Sequence, residues 1–248
     1  MRGMRNRCDA WRMRRRLILL PLVLIAIGAA PAPAERRFML TDFDRVRLSG
    51  PFTVEITTGG PPGATVSGDG RAAERIDLRV DGGLLVIAAS TQGWDGWRDG
   101  REGQMVIKVS SRQMRGARVN GGGRLAIDRV SGQRIELGLA GSGQIDIGSV
   151  SGDQMVATLT GTGSIRLAGG AVRSARFISQ GAGSIDAAGT SIADLNVQSQ
   201  SSGDSRFTAS LTATVAALGT GAVRVEGNAV CRLSGPGPMS CAGKAAER

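Results

Sequence analysis

The stretch "LAGSGQIDI" (residues 139–147) carries a Gly-x-Gly that reads either as a phosphate-cradling loop or as a corner in a repeating structure. The first reading fails on its own requirements. A dinucleotide fingerprint needs a third glycine three residues on, and a helix whose first amides meet the pyrophosphate. Asp146 stands in that place, and strand-like "QIDIGSV" follows. No Gly-Lys-Ser/Thr is near, so a Walker loop is excluded too.

Sliding the sequence against itself supports the second reading. "AGSGQIDI" begins at Ala140, "TGTGSIRL" at Thr160, "QGAGSIDA" at Gln180 and "QSSGDSRF" at Gln200, a step of 20 residues each time. "NGGGRLAI" at Asn120 precedes the series, "LGTGAVRV" at Leu218 follows it two residues early, and "SGPGPMS" at Ser234 closes it. Within each unit apolar and polar residues alternate, the period of a strand. One column reads Leu125, Ile145, Ile165, Ile185, Ser205, and its neighbour Ile127, Ile147, Leu167, Ala187, Phe207. A second segment supplies Leu137, Ala157, Phe177, Val197 and Val215. These columns are expected to face inward and stack, with the glycines at sharp corners. The fold class that follows is all-β: a single-stranded parallel β-helix (β-solenoid) with 20-residue repeats, right-handed because parallel crossovers nearly always are.

The residue between the two inward columns reads Ala126, Asp146, Arg166, Asp186, Arg206 and then Arg224. Rungs about 4.8 Å apart would set the middle four as an outer ladder of alternating sign, which attracts weakly. A carboxylate site for metal or acid–base work would stack acids on acids. The ladder is therefore expected to be a solvated structural feature.

The chain has 248 residues, enough for one such domain. Its 38 glycines lack the three-residue period of collagen, aromatic residues are only 3% and Tyr is absent, so the core must be built from small and β-branched side chains. The formal charge of +10 is concentrated at the start, where residues 1–34 hold seven Arg and one Asp. Beyond them 24 basic and 20 acidic residues remain, with no basic cluster interleaved with aromatics, so nucleic acid is not an expected partner.

Residues 1–34 read as an export signal: basic "RMRRR", an apolar run over residues 17–30, and Ala32-Pro33-Ala34 as an A-x-A site with cleavage expected between Ala34 and Glu35. The apolar run is short of the roughly 20 residues that span a bilayer, so the mature chain is not expected to be an integral membrane protein. Met13 would be a tidier start than Met1. Cys8 precedes the apolar run and is no lipid-attachment cysteine, and Arg14-Arg15 leaves twin-arginine and general export both open. Two cysteines remain after cleavage, Cys231 and Cys241, and in an oxidising compartment they are expected to pair around "RLSGPGPMS". Zinc is the rival, but two thiols without any His are too few ligands. The expected organisation is residues 1–34 signal, 35–42 linker, 43–235 solenoid and 236–248 a tail with the disulfide loop.

Between residues 43 and 110 the pattern is still β, but the 20-residue step is lost. "FDRVRLSGPFTVEITTG" alternates over two strands, "IDLRVDGGLLVIAAS" reads as a hairpin turning at Asp81-Gly82-Gly83, and "QMVIKVSS" is another strand. These are expected to be irregular opening turns of the same solenoid. The polar loop "TQGWDGWRDGREG" carries Trp94 and Trp97, which either stack on sugar rings or fold over an open solenoid end.

Phe43, Val46, Val54-Glu55-Ile56, Leu85-Val86-Ile87 and the serial Gly-Ser/Thr/Ala-Gly-x-Ile units together resemble the bacterial family called putative auto-transporter adhesin, head GIN domain. The resemblance runs from about Phe43 to Ser234. It implies a β-helical, exported cell-envelope protein and brings no catalytic residues with it. A chain ending at Arg248 is expected to carry no translocating outer-membrane barrel, a departure from the auto-transporter part of that name.

The absence of His excludes Ser-His-Asp and Cys-His catalysis and His-based metal sites. Carboxylate pairs such as Asp128 with Asp146 fall in different columns, and no set of nucleophile, base and orienting group assembles. Calcium-binding nonapeptide repeats differ in period and place acids where Arg166 and Arg206 stand here. No cofactor, metal or catalytic residue is expected. Two function classes remain: a non-catalytic envelope or surface protein binding a glycan, peptidoglycan or another protein through its walls, and a periplasmic polysaccharide-binding or polysaccharide-degrading β-helix.

Overall fold

Alternating strands that turn at glycine every 20 residues can bury one face only by stacking on their own repeats, and the computed structural model, which describes residues 34–68, 76–89 and 106–245, has this arrangement. The opening strands are β1 (Ala34–Met39), β2 (Arg45–Ser49), β3 (Thr53–Thr58), β4 (Gly63–Gly68), β5 (Ile76–Asp81), β6 (Leu84–Ala89), β7 (Val106–Ser111) and β8 (Gly116–Asn120). The repeat proper comprises β9 (Arg124–Gly141), β10 (Gln144–Gly161), β11 (Ser164–Leu167), β12 (Gly170–Gly181), β13 (Ser184–Ser201) and β14 (Ser205–Ala217). It ends in β15 (Val223–Glu226), β16 (Val230–Ser234), β17 (Met239–Cys241) and β18 (Lys244–Ala245). From β8 onward every pairing is parallel, giving a β-solenoid of about 6 turns.

The expected register holds. Leu125, Ile145, Ile165, Ile185, Ser205 and Val223 follow one another from rung to rung, and all are buried. So are the columns of Ile147 and Ala157. The core adjusts within each rung: Ala157 neighbours Leu159, whereas Phe177 neighbours Ser179, so a large ring is balanced by a small residue. Buried Ser179 is satisfied by the serine on the next rung, its Oγ donating to Ser199 Oγ at 3.1 Å. The unit that arrives two residues early is accommodated in β14, where register shifts bring the offset to β13 from 20 residues at Ala187/Phe207 to 18 at Asp194/Thr212.

The opening question is answered at the corners. Gly161 has φ +119°, a conformation strained for any residue with a Cβ. At Gly163 the constraint is space: a Cβ there would run into the carbonyl oxygen of Gly143 on the rung below. The Gly-x-Gly is a corner through which consecutive rungs pass backbone on backbone, and Ser164 N–H donates to Gly143 O at 3.1 Å across it.

The first half departs from simple winding. β2 lies between β6 and β8, and β3 between β7 and β9. The chain thus lays its first rung directly against the repeat, then builds outward with β6 and β7, and returns at β8. The end is closed by antiparallel strands: β5 on β6, as the expected hairpin with Gly82 and Gly83 at positive φ, then β4 on β7 and β1 on β4. Residues 35–42, expected to be a linker, therefore mostly form strand β1. Its charged Arg36 and Arg37 suit an outermost edge, where charge deters further pairing.

Residues 236–248, expected to be a tail, instead supply β17 and β18, which pair with β15 and β16 as a last partial rung. Pro238 fits because that strand needs its carbonyl, which accepts from Val223 N–H, and not an amide donor. The Cys231–Cys241 disulfide forms as expected and ties this rung to the preceding one, with Cα atoms 6.6 Å apart. Replacing both cysteines with alanine should lower unfolding stability by about 2–3 kcal/mol by the loop-entropy argument, read as a shifted denaturant midpoint. An unchanged midpoint would mean that the last rung is held by pairing alone.

Candidate functional site

Several outward charged side chains on the repeat have partners one rung away. The alternating ladder is present in register, Asp146 beside Arg166 and Asp186 beside Arg206. Only the latter two close as a pair, at 2.7 Å; Asp146 instead takes Arg124 at 3.3 Å and Gln144 at 3.0 Å. Arg173 pairs with Asp153 at 3.2 Å. Such exposed pairs contribute little stability each, in the range of about 0–1 kcal/mol. The imagined pair of Asp128 and Asp146 is not brought together: both Asp128 oxygens accept from Thr58 N–H, at 3.0 and 3.1 Å, which pins the end of β3. Among the described residues no three acidic, Cys or His side chains gather to hold a metal ion.

Asp204 is held by two donors from the rung above. The Ala222 N–H donates to it at 2.9 Å and the Arg224 guanidinium at 3.2 Å, and these hold it below the ordinary 3.8. A depressed carboxyl stabilises the fold at pH values above its unfolded value, and that contribution is lost as pH falls through the lowered one. The Asp204→Asn chain should accordingly lose less stability than the parent between pH 6 and pH 2, by a small margin because the group is exposed. Parallel acid-unfolding curves for the two would show that the pair contributes nothing.

Among the described residues, two of the concave surfaces cross rungs of the repeat. One, of about 650 Å³, runs across successive rungs past Ser131, Ser151, Ala171, Ser191 and Ser210, a trough of small polar side chains flanked by the Asp153–Arg173 pair. The other, of about 250 Å³, lies where the opening rungs meet the repeat. Arg45, Arg47 and Arg118 line it together with Glu136, while Gly116 and Gly138 contribute only backbone. Arg45 is engaged, donating to Gly82 O at 2.9 Å and standing 3.5 Å from Asp44. Asp44 takes its stronger contact from Arg115, at 2.6 Å, which anchors the loop before β8 to the start of β2.

Trp94 and Trp97 lie outside the described residues, as do Cys8 and the apolar run over residues 17–30 that was expected to be an export signal. The arginine trough was not among the sequence candidates. Arg47 and Arg118 belong to strands unrelated by the 20-residue step, so no periodicity brings them together; only the insertion of β2 against β8 does.

The family described as "Putative auto-transporter adhesin, head GIN domain" matches residues 42–229. Among curated proteins none matches. Similar solved structures include a putative adhesin from Bacteroides fragilis, with TM-score 0.74 and 20% identity over 86% of this chain and 97% of that one. A putative adhesin from Parabacteroides distasonis gives TM-score 0.64 and 16% identity, over 84% and 96%. A putative lipid binding protein from the same species gives TM-score 0.57 and 18% identity, over 87% and 96%. At these identities the likeness establishes the fold. Among the described residues no helix is long and apolar enough to cross a membrane.

Proposed function

The chain belongs to the head GIN domain family, and on that premise we propose that it is an exported, non-catalytic envelope or surface protein whose solenoid walls bind an extended partner. The observation that carries this reading is the disposition of its charged groups. Asp128, Asp146, Asp153, Asp186 and Asp204 are each held by a backbone amide or an arginine, in structural roles, while the walls between them stay broad and regular. The A-x-A site before Glu35 and the disulfide support an address outside the cytoplasm. The relatives called adhesins support the binding role.

Labelling intact cells with a membrane-impermeant amine reagent tests the location, since Lys108 and Lys244 are within the described fold. Label on intact or outer-membrane-permeabilised cells fits the reading, and protein confined to the cytoplasm refutes it. The second reading, a periplasmic protein that binds or degrades polysaccharide, draws on the serine-lined trough, long enough to hold an extended chain. Release of soluble product from a polysaccharide by the purified mature chain would decide for the degrading form.

A further inference from the structure

Among the described residues, the arginine trough differs from the paired stretches of the exterior in setting two unpaired arginines side by side. Several other exterior arginines have an acid on a neighbouring rung or within their own: Arg206 has Asp186, Arg173 has Asp153, Arg115 has Asp44 and Arg79 has Asp77. Arg47 and Arg118 are direct register partners on β2 and β8, so two guanidinium-bearing side chains start about 4.8 Å apart. Like charges opposite one another across a ladder are destabilising. Among the described residues neither has a carboxylate partner; Glu136, the one acid on the trough, forms no ion pair with either. Arg118 lies across Gly138, where a Cβ would come 3.3 Å from its Nε, so glycine makes the floor on which the side chain rests.

A like-charged pair kept in a concavity with a backbone floor is an arrangement that an anion would complete, because guanidinium groups bind carboxylate and phosphate through paired N–H donors. We propose that this trough is an anion-binding subsite for a saccharide carrying a carboxylate or phosphate. The proposal rests on the binding-scaffold reading and specifies its partner. A lipid surface is disfavoured because membrane-binding patches gather several basic residues, and here two are free. Nucleic acid is disfavoured because no aromatic side chain lines the trough to stack a base.

The test is titration calorimetry of the mature chain with polygalacturonate for the carboxylate form, glucose 6-phosphate for the phosphate form, and neutral dextran as control. Binding of at least one anionic saccharide is expected, weakened by added salt and absent for dextran. Arg47→Gln and Arg118→Gln should each weaken it by about tenfold, the scale of a lost charge-assisted contact. Their melting temperatures should hold or rise, which a structural role for these arginines would not produce. Glu136→Gln removes the repelling acid and should tighten binding, so the site remains testable if either arginine variant folds poorly. The proposal is overturned if neither anionic saccharide binds, if binding survives both arginine changes, or if only phosphatidylglycerol vesicles or DNA bind through these residues. Attachment to cells or glycans that persists in both arginine variants defeats this subsite and leaves the scaffold reading standing. Catalytic turnover defeats the scaffold reading itself.

Discussion

Ile165→Asp is expected to abolish the cooperative fold of the solenoid or to destabilise it by several kcal/mol. Ile165 is fully buried, stacked between Ile145 below and Ile185 above. An aspartate there has apolar neighbours in both directions along its column. It must either stay ionised without a partner or take up a proton, and both leave an unsatisfied polar group inside. Since a whole domain is typically stable by only about 5–15 kcal/mol, one such change consumes a large share. A solenoid adds a further consequence: each rung touches only its neighbours, so a broken central rung uncouples the turns on its two sides. Chemical denaturation followed by circular dichroism should show a lowered midpoint or two separate transitions. A single transition near the parent midpoint would mean that the side chain at 165 reaches water and that the register is wrong.

Phe177→Ala should destabilise by about 3–5 kcal/mol, the usual range for removing a buried ring. The ring is fully buried and lies 4.7 Å from that of Phe207, centroid to centroid, tilted by 52°. These rings meet in the core from different segments of rungs on either side of β13, and the serines beside them, Ser179 and Ser205, are small because the rings take the volume. Parallel backbones spaced by hydrogen bonds cannot close in on the space left, so the cavity term should stay near the top of its range. Phe177→Leu keeps most of the volume and should be much milder. A loss below about 1 kcal/mol for the alanine change, in equilibrium denaturation, would show that the rungs do collapse, contrary to this account.

Much of this fold could be read in the sequence because a solenoid repeats one local decision. The alternation around Ile145, Ile165 and Ile185 states which side is buried, and the 20-residue step states which rung follows. The glycines at 161 and 163 mark corners for two separate reasons, positive φ and backbone approach, and either alone would have kept a glycine there. The pairing of Cys231 with Cys241 was legible from their number and the expected compartment. The first half was only partly legible. Alternation in "FDRVRLSGPFTVEITTG" and the Asp81-Gly82-Gly83 turn revealed strands and a hairpin, but a strand's own pattern reports its faces and not its neighbours. Residues 35–42 read as a linker because β1 is a charged edge whose register is imposed by β4 alone. The closing strands read as a tail because they are short and follow Pro236 and Pro238 among glycines, the composition of a loop.

By itself, then, the sequence determined the β-solenoid, its period, its inward columns and the disulfide, since each depends on residues close in the chain or on strict repetition. Tertiary structure alone decided that β2 and β3 insert between later strands, that antiparallel strands close one end, and that Arg47 comes to lie against Arg118. The physical reason is common to all three. Hydrogen-bond partners between non-repeating strands are chosen by which backbone edges remain free once the repeat has stacked, a property of the assembled sheet that no local pattern records.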